Sequence, residues 1–460
     1  MSLSDTADEP PAAPAPGSTH RERAGWYLYD WANSAFITTV VTVFYGPFLT
    51  AVAKQAAGCD PSEKCREGVI SPLGIEMAPG AYFPYVISLS VFLTVFVLPA
   101  LGGIADRVTR KRLLLAVCAY VGSGATIAMF FVTGDRYLLG GALFVIANIA
   151  YGASIVVYNS FLPQMVGPDD RDKVSSVGWA IGYLGGGLLL AGNLAAVTFG
   201  ETAGFSTLDL ARWNIVSAGV WWAAFTLAPL LWLEDRPPVG RVPGNVVAQG
   251  FRQLAHTVRH LKAYPLTLFF LLAYLIYNDG IQTVIALASQ FGSEELRLPQ
   301  SALVATVLMV QFLAFGGALL LGALARWIGA WKALSLSLVL WVGVIIGAFW
   351  LPEGQVVPFV VLGGAIGLVL GGSQALSRSL FSQLIPRGKE AEYFGLYEIS
   401  DKGTSWLGPL AFGLVFQLTH SYRIGIVSLL IFFVVGLAAL LMVPMRRAIV
   451  AAGNTPPRVI

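Results

Sequence analysis

The chain alternates between long apolar runs and short polar segments. Most runs reach about 20 residues, the length that an α-helix needs to cross a bilayer. This pattern predicts twelve membrane spans, of which the fifth and eleventh are rich in glycine and polar residues. The predicted spans are residues 26–52, 82–104, 112–133, 137–160, 173–199, 212–233, 265–290, 301–325, 330–351, 356–384, 391–419 and 422–445.

Composition supports a membrane location for these runs. The 460 residues are 56% hydrophobic and only 12% charged, whereas soluble domains average about 25% charged residues. A larger core does not explain the difference, because a soluble surface would still need polar cover. The fold class predicted is therefore an all-α polytopic membrane protein.

Lysine and arginine fall mainly on one side of the predicted spans. The side that holds the N-terminus has 21 of the 29, the opposite side has 7, and Lys402 lies inside a span. Because cytoplasmic loops carry an excess of these residues, we expect both termini to be cytoplasmic.

The longest predicted cytoplasmic connection divides the spans into two sets of six. Residues 1–20 form a polar tail without an apolar run, predicted to be disordered and cytoplasmic. Residues 21–233 and 265–447 are predicted to form the two six-helix bundles, and 448–460 a second cytoplasmic tail. The linker, 234–264, contains apolar residues at steps of three and four, which predicts an amphipathic helix on the membrane surface. His256 and His260 in it lack an acidic or cysteine partner, so no metal site is predicted.

The two halves repeat one another. GGIADRVTRKRL at 102–113 corresponds to GALARWIGAWKA at 322–333, and SFLPQMV at 160–166 corresponds to SLFSQLI at 379–385. The first motif closely resembles the signature loop of the major facilitator superfamily, whose plan is two pseudo-symmetric six-helix bundles. That resemblance implies a cytoplasmic gate latch. An ordinary positive loop is the alternative interpretation. The residues that would form the latch are Gly102, Asp106, Arg107, Arg110 and Arg112.

Three further motifs narrow the resemblance. YDWANSAF at 29–36, YNDGIQT at 277–283 and GTSWLGP at 403–409 look like the vacuolar-effluxer-like branch of that superfamily, and the likeness covers residues 21–447. The best-understood members of this branch export amino acids from the fungal vacuole, and its bacterial members are largely of unknown substrate. The resemblance implies transport of amino acids or similar small polar solutes.

Polar residues in spans 1, 4, 7 and 10 recur every three or four positions and so form stripes. These spans line the cavity in the superfamily, so the stripes are candidate substrate contacts. Hydrogen bonds between helices, worth about 0.6–2 kcal/mol each, are the alternative. The candidates are Asp30, Asn33, Ser34, Thr38, Asn148, Tyr151, Tyr158, Asn159, Tyr274, Asn278, Asp279, Gln282, Gln374 and Arg378.

Carboxylates inside spans are expensive and therefore candidate functional groups. Asp279 is the deepest, about 21 Å from the start of its helix at 1.5 Å per residue. Glu398 and Asp401 lie in the eleventh span, where Lys402 could neutralise Glu398. A carboxyl group removed from water favours its protonated form. Our hypothesis is that Asp279, Glu398 or Asp401 couples proton movement to transport.

Cys59 and Cys65 share the loop between the first two spans, on the side predicted to lie outside the cytoplasm. A disulfide could form there. Two free thiols in the loop remain an equal alternative.

The function predicted is secondary active transport of small polar solutes, with amino-acid efflux by alternating access as the specific form. No phosphate-binding loop or nucleophile–base pair occurs, so neither an enzyme nor a cofactor is predicted. A transporter-like nutrient sensor and a membrane enzyme are the alternatives. Expected partners are the lipid bilayer, a small-molecule substrate and a coupling proton, without nucleic acid, and the protein is expected to be a monomer. Short loops favour the bacterial cytoplasmic membrane.

Overall fold

The structure is a computed structural model that describes residues 18–61, 65, 68–105, 108–165, 168–236, 264–385, 397, 405–454, 456–457 and 459. It is all-helical. Eleven helices in this part of the chain are long and apolar enough to cross a membrane, and a twelfth, Leu407–Thr419, is shorter. The tail 1–17, the linker residues 237–263 with their predicted amphipathic helix, and most of 386–404 lie outside the described residues.

We label the spans α1 to α12 in chain order. Their bounds are α1 His20–Ala56, α2 Pro79–Ala105, α3 Lys111–Phe131, α4 Tyr137–Asn159, α5 Pro168–Thr202, α6 Thr207–Trp232, α7 Pro265–Glu294, α8 Gln300–Ile328, α9 Ala330–Phe349, α10 Val356–Gln383, α11 Leu407–Thr419 and α12 Tyr422–Met442. We call the end at which α1 begins the proximal end, and the end at which α1 finishes the distal end.

Local sequence accounts for several helix boundaries. Thr19 and Ser206 cap the starts of α1 and α6, because their hydroxyl oxygens accept from free backbone N–H groups three residues later. Pro229 lies in the last turn of α6, which ends shortly after it. Gly329 separates α8 from α9 with φ of +97°, a conformation that residues with a Cβ rarely adopt.

The first span is not a uniform α-helix. Its middle part, Phe36–Phe44, is π-helical, and the Tyr45 N–H donates to the Val40 carbonyl oxygen, five residues earlier. Such wide turns are uncommon and frequently occur at functional sites. This segment begins where the YDWANSAF motif ends.

Helix packing repeats between the two halves of the chain. In the first half α1 packs on α6, α2 on α4, and α3 on both α4 and α6. In the second half α7 packs on α12, α8 on α10, and α9 on both α10 and α12. Each of these pairs recurs six helices later, which is the packing expected of two pseudo-symmetric bundles. The halves meet through α2 with α11, α5 with α8, and α1 with α7.

Candidate functional site

Asp279 lies in the middle of α7, buried to 2% exposure. Both of its carboxylate oxygens accept from the Gly408 N–H at 3.1 Å. Gly408 is in the first turn of α11, where backbone N–H groups have no helical partner and where the helix dipole favours a negative charge. A carboxylate on one helix therefore holds the start of another inside the protein.

The absence of a side chain at Gly408 permits this approach. A Cβ added there would lie 3.0 Å from Asp279 Oδ1 and 3.0 Å from Thr283 Cβ. The Thr283 hydroxyl donates to the Asp279 carbonyl oxygen at 2.6 Å, and its oxygen is the atom that an added Cβ on Gly408 would meet first. Close contact of α7 and α11 depends on the glycine.

Aromatic residues surround this position on the proximal side. The Tyr277 and Ser377 hydroxyl groups share a 2.6 Å hydrogen bond that joins α7 to α10. Tyr274 stacks on Tyr397 with ring centroids 4.4 Å apart. Asn278, the predicted neighbour of Asp279 in substrate contact, is buried. Predicted residues of α7 thus lie where α7, α10 and α11 meet.

A second cluster lies nearer the proximal end. The Tyr158 hydroxyl of α4 donates to Asp30 Oδ2 at 2.9 Å, and Trp26 stacks on the Tyr158 ring with centroids 4.4 Å apart. The Trp26 indole N–H also donates to the Tyr158 carbonyl oxygen at 3.3 Å. Two residues predicted to share one cavity, Asp30 and Tyr158, are therefore in direct contact.

The polar stripe of α1 faces the glycines of α5. A Cβ on Gly178 would lie 2.9 Å from Asp30 Oδ2, one on Gly182 would lie 2.8 Å from Ser34 Oγ, and one on Gly186 would lie 2.9 Å from Thr38 Oγ1. Small residues allow membrane helices to pack this closely. The stripe of α1 is thus packed against α5.

The π-helical segment of α1 also has a polar connection that sequence reasoning missed. The side-chain amide of Asn193 in α5 donates to Thr39 Oγ1 at 3.0 Å, and Asn193 Oδ1 accepts from the Ser217 hydroxyl of α6 at 3.0 Å. A signal was present, since Asn193 is a lone amide in an apolar helix. Spacing along the chain does not identify the partners of such an amide.

The remaining candidates divide between interhelical contacts and accessible positions. Asn148 donates to Ser90 Oγ of α2 at 2.9 Å, and Tyr151 packs beside the Phe36 ring. Asn33 donates to the Tyr29 carbonyl oxygen on its own helix. Gln282 and Gln374 are half-buried, whereas Asn159 and Arg378 are exposed. Glu398 and Asp401, the other two candidates for proton coupling, lie outside the described residues.

A buried ion pair joins the two halves at the distal end. Lys54 Nζ of α1 lies 2.5 Å from Glu294 Oε2 of α7, with side chains exposed by 6% and 8%. Beside it, the Gln290 amide donates to Thr50 Oγ1 at 2.8 Å and to the Gly80 carbonyl oxygen at 3.1 Å. The first span was predicted to end at residue 52, but α1 continues to Ala56, so Lys54 lies within the helix.

Helices α2 and α11 close the same end. Tyr85 donates to Gln417 Oε1 at 2.9 Å, and Ser88 donates to the Trp406 carbonyl oxygen at 2.9 Å. Phe92 packs on the Trp406 ring with centroids 5.2 Å apart. With the ion pair, these contacts hold the two halves together from the distal end to the level of Asp279.

The distal loop also contacts the ion pair. Lys54 Nζ donates to the Pro61 carbonyl oxygen at 3.2 Å. Pro61 lies within the short loop that a Cys59–Cys65 disulfide closes. The disulfide therefore restrains the segment that covers Lys54.

Charged residues at the proximal end of the first half anchor the start of the linker. The Arg112 backbone and side-chain N–H groups donate to Asp235 at 2.9 and 3.1 Å. Arg236 forms a bidentate pair with the buried Glu22 at 2.6 and 2.8 Å. Among the predicted latch residues, Arg112 thus bonds within its own half. Asp106 and Arg107 lie outside the described residues, and no contact of Arg110 or of Gly102 is described.

The described residues contain no group of three or more His, Cys, Asp or Glu side chains that could hold a metal ion. The polar side chains of the described residues instead form hydrogen bonds and ion pairs between membrane-spanning helices. Some of these contacts join the two bundles to each other at the distal end. These features define a polytopic membrane transporter of the major facilitator type.

Solved structures with this fold agree with that class. The D-xylose-proton symporter superposes with a TM-score of 0.63 at 12% identity, covering 92% of this chain and 96% of its own. A bacterial homolog of the human lysosomal transporter Spinster, solved in an inward-facing conformation, gives 0.63 at 15% identity, covering 96% and 100%. The nucleoside transporter NupG gives 0.59 at 16% identity, covering 95% and 99%. At such low sequence identity, these superpositions show only that the fold is shared.

The family follows from sequence comparison. The family model described as vacuole effluxer Atg22 like matches residues 18–453, and the chain belongs to that family. The uncharacterized MFS-type transporter YxiO of Bacillus subtilis is 28% identical, covering 92% of this chain and 95% of its own. Autophagy-related protein 22 of Yarrowia lipolytica is 26% identical, covering 94% and 97%. The protein is a membrane transporter and not an enzyme.

Proposed function

We propose that this transporter exports amino acids or closely related zwitterionic solutes by alternating access. The observation that carries the proposal is the contact between the buried Asp279 carboxylate and the Gly408 N–H at the start of α11. A zwitterion offers a partner for each group. Its ammonium would pair with Asp279, and its carboxylate would accept from the N–H groups that Asp279 now occupies.

Proton coupling would use the same carboxylate. Protonation of Asp279 would remove the charge that favours its position at the positive end of the α11 dipole. The helix start would then be available to the substrate carboxylate, and release of the proton would restore the charge that pairs with the substrate ammonium. Glu398 and Asp401 remain proposed as further coupling groups on sequence grounds, because no contact of theirs is described.

Alternating access requires the distal closure to open. The proposed step separates Lys54 from Glu294 and Gln290 from Thr50, which moves α7 and α11 away from α1 and α2. With the N-terminus in the cytoplasm, as the distribution of basic residues favours, the distal end would be external and the present structure would be closed toward the outside. The latch residues of the α2–α3 loop would then act when the proximal end closes.

Several further assignments belong to this proposal. The bilayer would be the bacterial cytoplasmic membrane, because a Bacillus subtilis protein is among the relatives that match along nearly the whole chain. The division into bundles at 21–233 and 265–447, with the linker 234–264 and tails at both ends, remains the proposed domain plan. The transporter is proposed to work as a monomer.

A thermal-shift screen of the purified protein tests the substrate assignment. We expect one or more amino acids to raise the melting temperature in detergent, and the shift to disappear in Asp279→Asn. Asn retains an acceptor oxygen of similar shape at the start of α11, which limits damage to the fold. Asp209→Asn, at the distal start of α6, is the matched control and should retain the shift. No stabilisation by any amino acid, or equal stabilisation of Asp279→Asn, would exclude the proposed site.

A further inference from the structure

An open groove of about 670 Å³ lies on the proximal end of the second half. It is formed where the start of α9 and the end of α12 meet the short helix Met445–Ala451 that follows α12. Neither Asp279 nor Gly408 lines it. The groove is therefore separate from the proposed transport site.

The groove combines apolar and cationic groups in a definite order. Leu441 and Met442 of α12 are exposed apolar side chains at the end of a membrane span. Lys332 at the start of α9, and Arg446 and Arg447 just beyond α12, also line the groove. Along the groove, the cationic side chains therefore lie next to the apolar side chains. The described residues that line it include no carboxylate.

Other contacts hold the groove in shape. The Trp331 indole N–H donates to the Leu440 carbonyl oxygen at 3.0 Å, which joins α9 to α12. The short helix buries Met445 and Ile449 against the bundle. After it, the Asn454 amide donates to the carbonyl oxygens of Gln383 and Ile385 at 2.9 and 2.8 Å. The backbone that presents the cations is therefore fixed at both sides.

We infer that this groove binds the headgroup of an anionic phospholipid. Its phosphate would pair with Lys332 and Arg447, and its acyl chains would lie along Leu441 and Met442. Basic pockets between membrane helices at the level of the lipid headgroups bind anionic headgroups. Tryptophan is also favoured at this depth. A free phosphate would satisfy the cations but would make no contact with the apolar part of the groove.

Binding to purified protein in detergent tests the inference. The probes are short-chain phosphatidylglycerol, short-chain phosphatidylcholine and inorganic phosphate, and the readouts are native mass spectrometry and melting temperature. We compare wild type with Lys332→Gln/Arg447→Gln. The control is Arg326→Gln/Arg23→Gln, which removes the same charge at the proximal end outside the groove.

We expect phosphatidylglycerol to bind more tightly than phosphatidylcholine. Its dissociation constant should rise about 25-fold in the groove variant, at about fivefold for each cation near a membrane surface, and should stay unchanged in the control. Equal binding of both lipids, or equal losses in the two variants, would overturn the inference. Displacement of phosphatidylglycerol by inorganic phosphate at the same concentration would assign the groove to a free anion instead.

Discussion

Replacing Lys54 by methionine tests whether the distal ion pair holds the closed state. Methionine keeps most of the length of the lysine side chain but removes its charge. In the closed state Glu294 would stay buried without its cationic partner, because the two side chains are exposed by only 6% and 8%. In the opened state water would solvate the same carboxylate. The substitution therefore destabilises the closed state selectively.

The size of the effect follows from the burial of the pair. Removing one partner of a buried ion pair costs about 3–5 kcal/mol. Since this cost falls on the closed state alone, the equilibrium between closed and opened distal ends should move toward the opened state by about two to four orders of magnitude. Even the lower value would reverse a preference for closure of about 100 to 1.

Spin-label distances across the distal end measure this shift. Labels at Phe205→Cys in the α5–α6 loop and Val357→Cys at the start of α10 lie on exposed residues of opposite halves. The background replaces Cys118, the free cysteine of the described chain. We expect the distance distribution of Lys54→Met to move to longer values, and the charge swap Lys54→Glu/Glu294→Lys to restore the wild-type distribution.

The matched control removes an ion pair that lies within one half. Arg297 pairs with Glu353 at 2.9 Å, also at the distal end, but both side chains are about half exposed. Exposed pairs contribute about 0–1 kcal/mol, so Arg297→Met should leave the distribution unchanged. Wild-type distances in Lys54→Met, or equal shifts in both variants, would refute a specific role for the buried pair.

Three further experiments test individual contacts. Gly408→Ala should destabilise the protein by about 1–3 kcal/mol through overpacking against Asp279, measured by thermal unfolding in detergent. Gly343→Ala should not destabilise it, because a Cβ added there meets nothing within 4 Å. Equal effects of the two substitutions would contradict the close approach of α7 and α11. Glu22→Gln should destabilise the linker anchor more than Asp235→Asn, because Glu22 is 1% exposed and Asp235 is 20% exposed; the reverse order of melting temperatures would contradict the assigned burial. Alkylation of the unfolded, unreduced protein should label one of its three cysteines, Cys118; labelling of all three by mass would exclude the disulfide.

Hydropathy located the membrane helices because a span must provide an apolar run of fixed length. The structure confirms an all-helical major facilitator fold, and ten of the predicted spans coincide with long helices of similar bounds. The first span was predicted to stop at residue 52 but continues to Ala56, and Lys54 near its end pairs with Glu294 across the bundle. A pattern along one chain segment does not contain that partner.

The candidate site was predictable as a set of residues but not as a set of contacts. Periodicity placed Asp30 and Tyr158 in the polar stripes of spans 1 and 4. In the structure a hydrogen bond joins the two side chains. The partner of Asp279 is a backbone N–H, which every residue type except proline has, so composition could not identify Gly408. The glycines of α5 were visible in the sequence, but the face of α1 that they contact depends on how two helices pack.

Counterflow of a radiolabelled mixture of the protein amino acids in proteoliposomes tests the central claim most directly. We predict that uptake by the wild-type protein exceeds uptake by protein-free liposomes. Uptake should fall at least about tenfold in Asp279→Asn if the lost contact is worth about 1.4 kcal/mol or more. Uptake by Asp209→Asn should be normal. Uptake by wild type equal to that of protein-free liposomes would contradict amino-acid transport. Undiminished uptake by Asp279→Asn would contradict the role of the buried carboxylate.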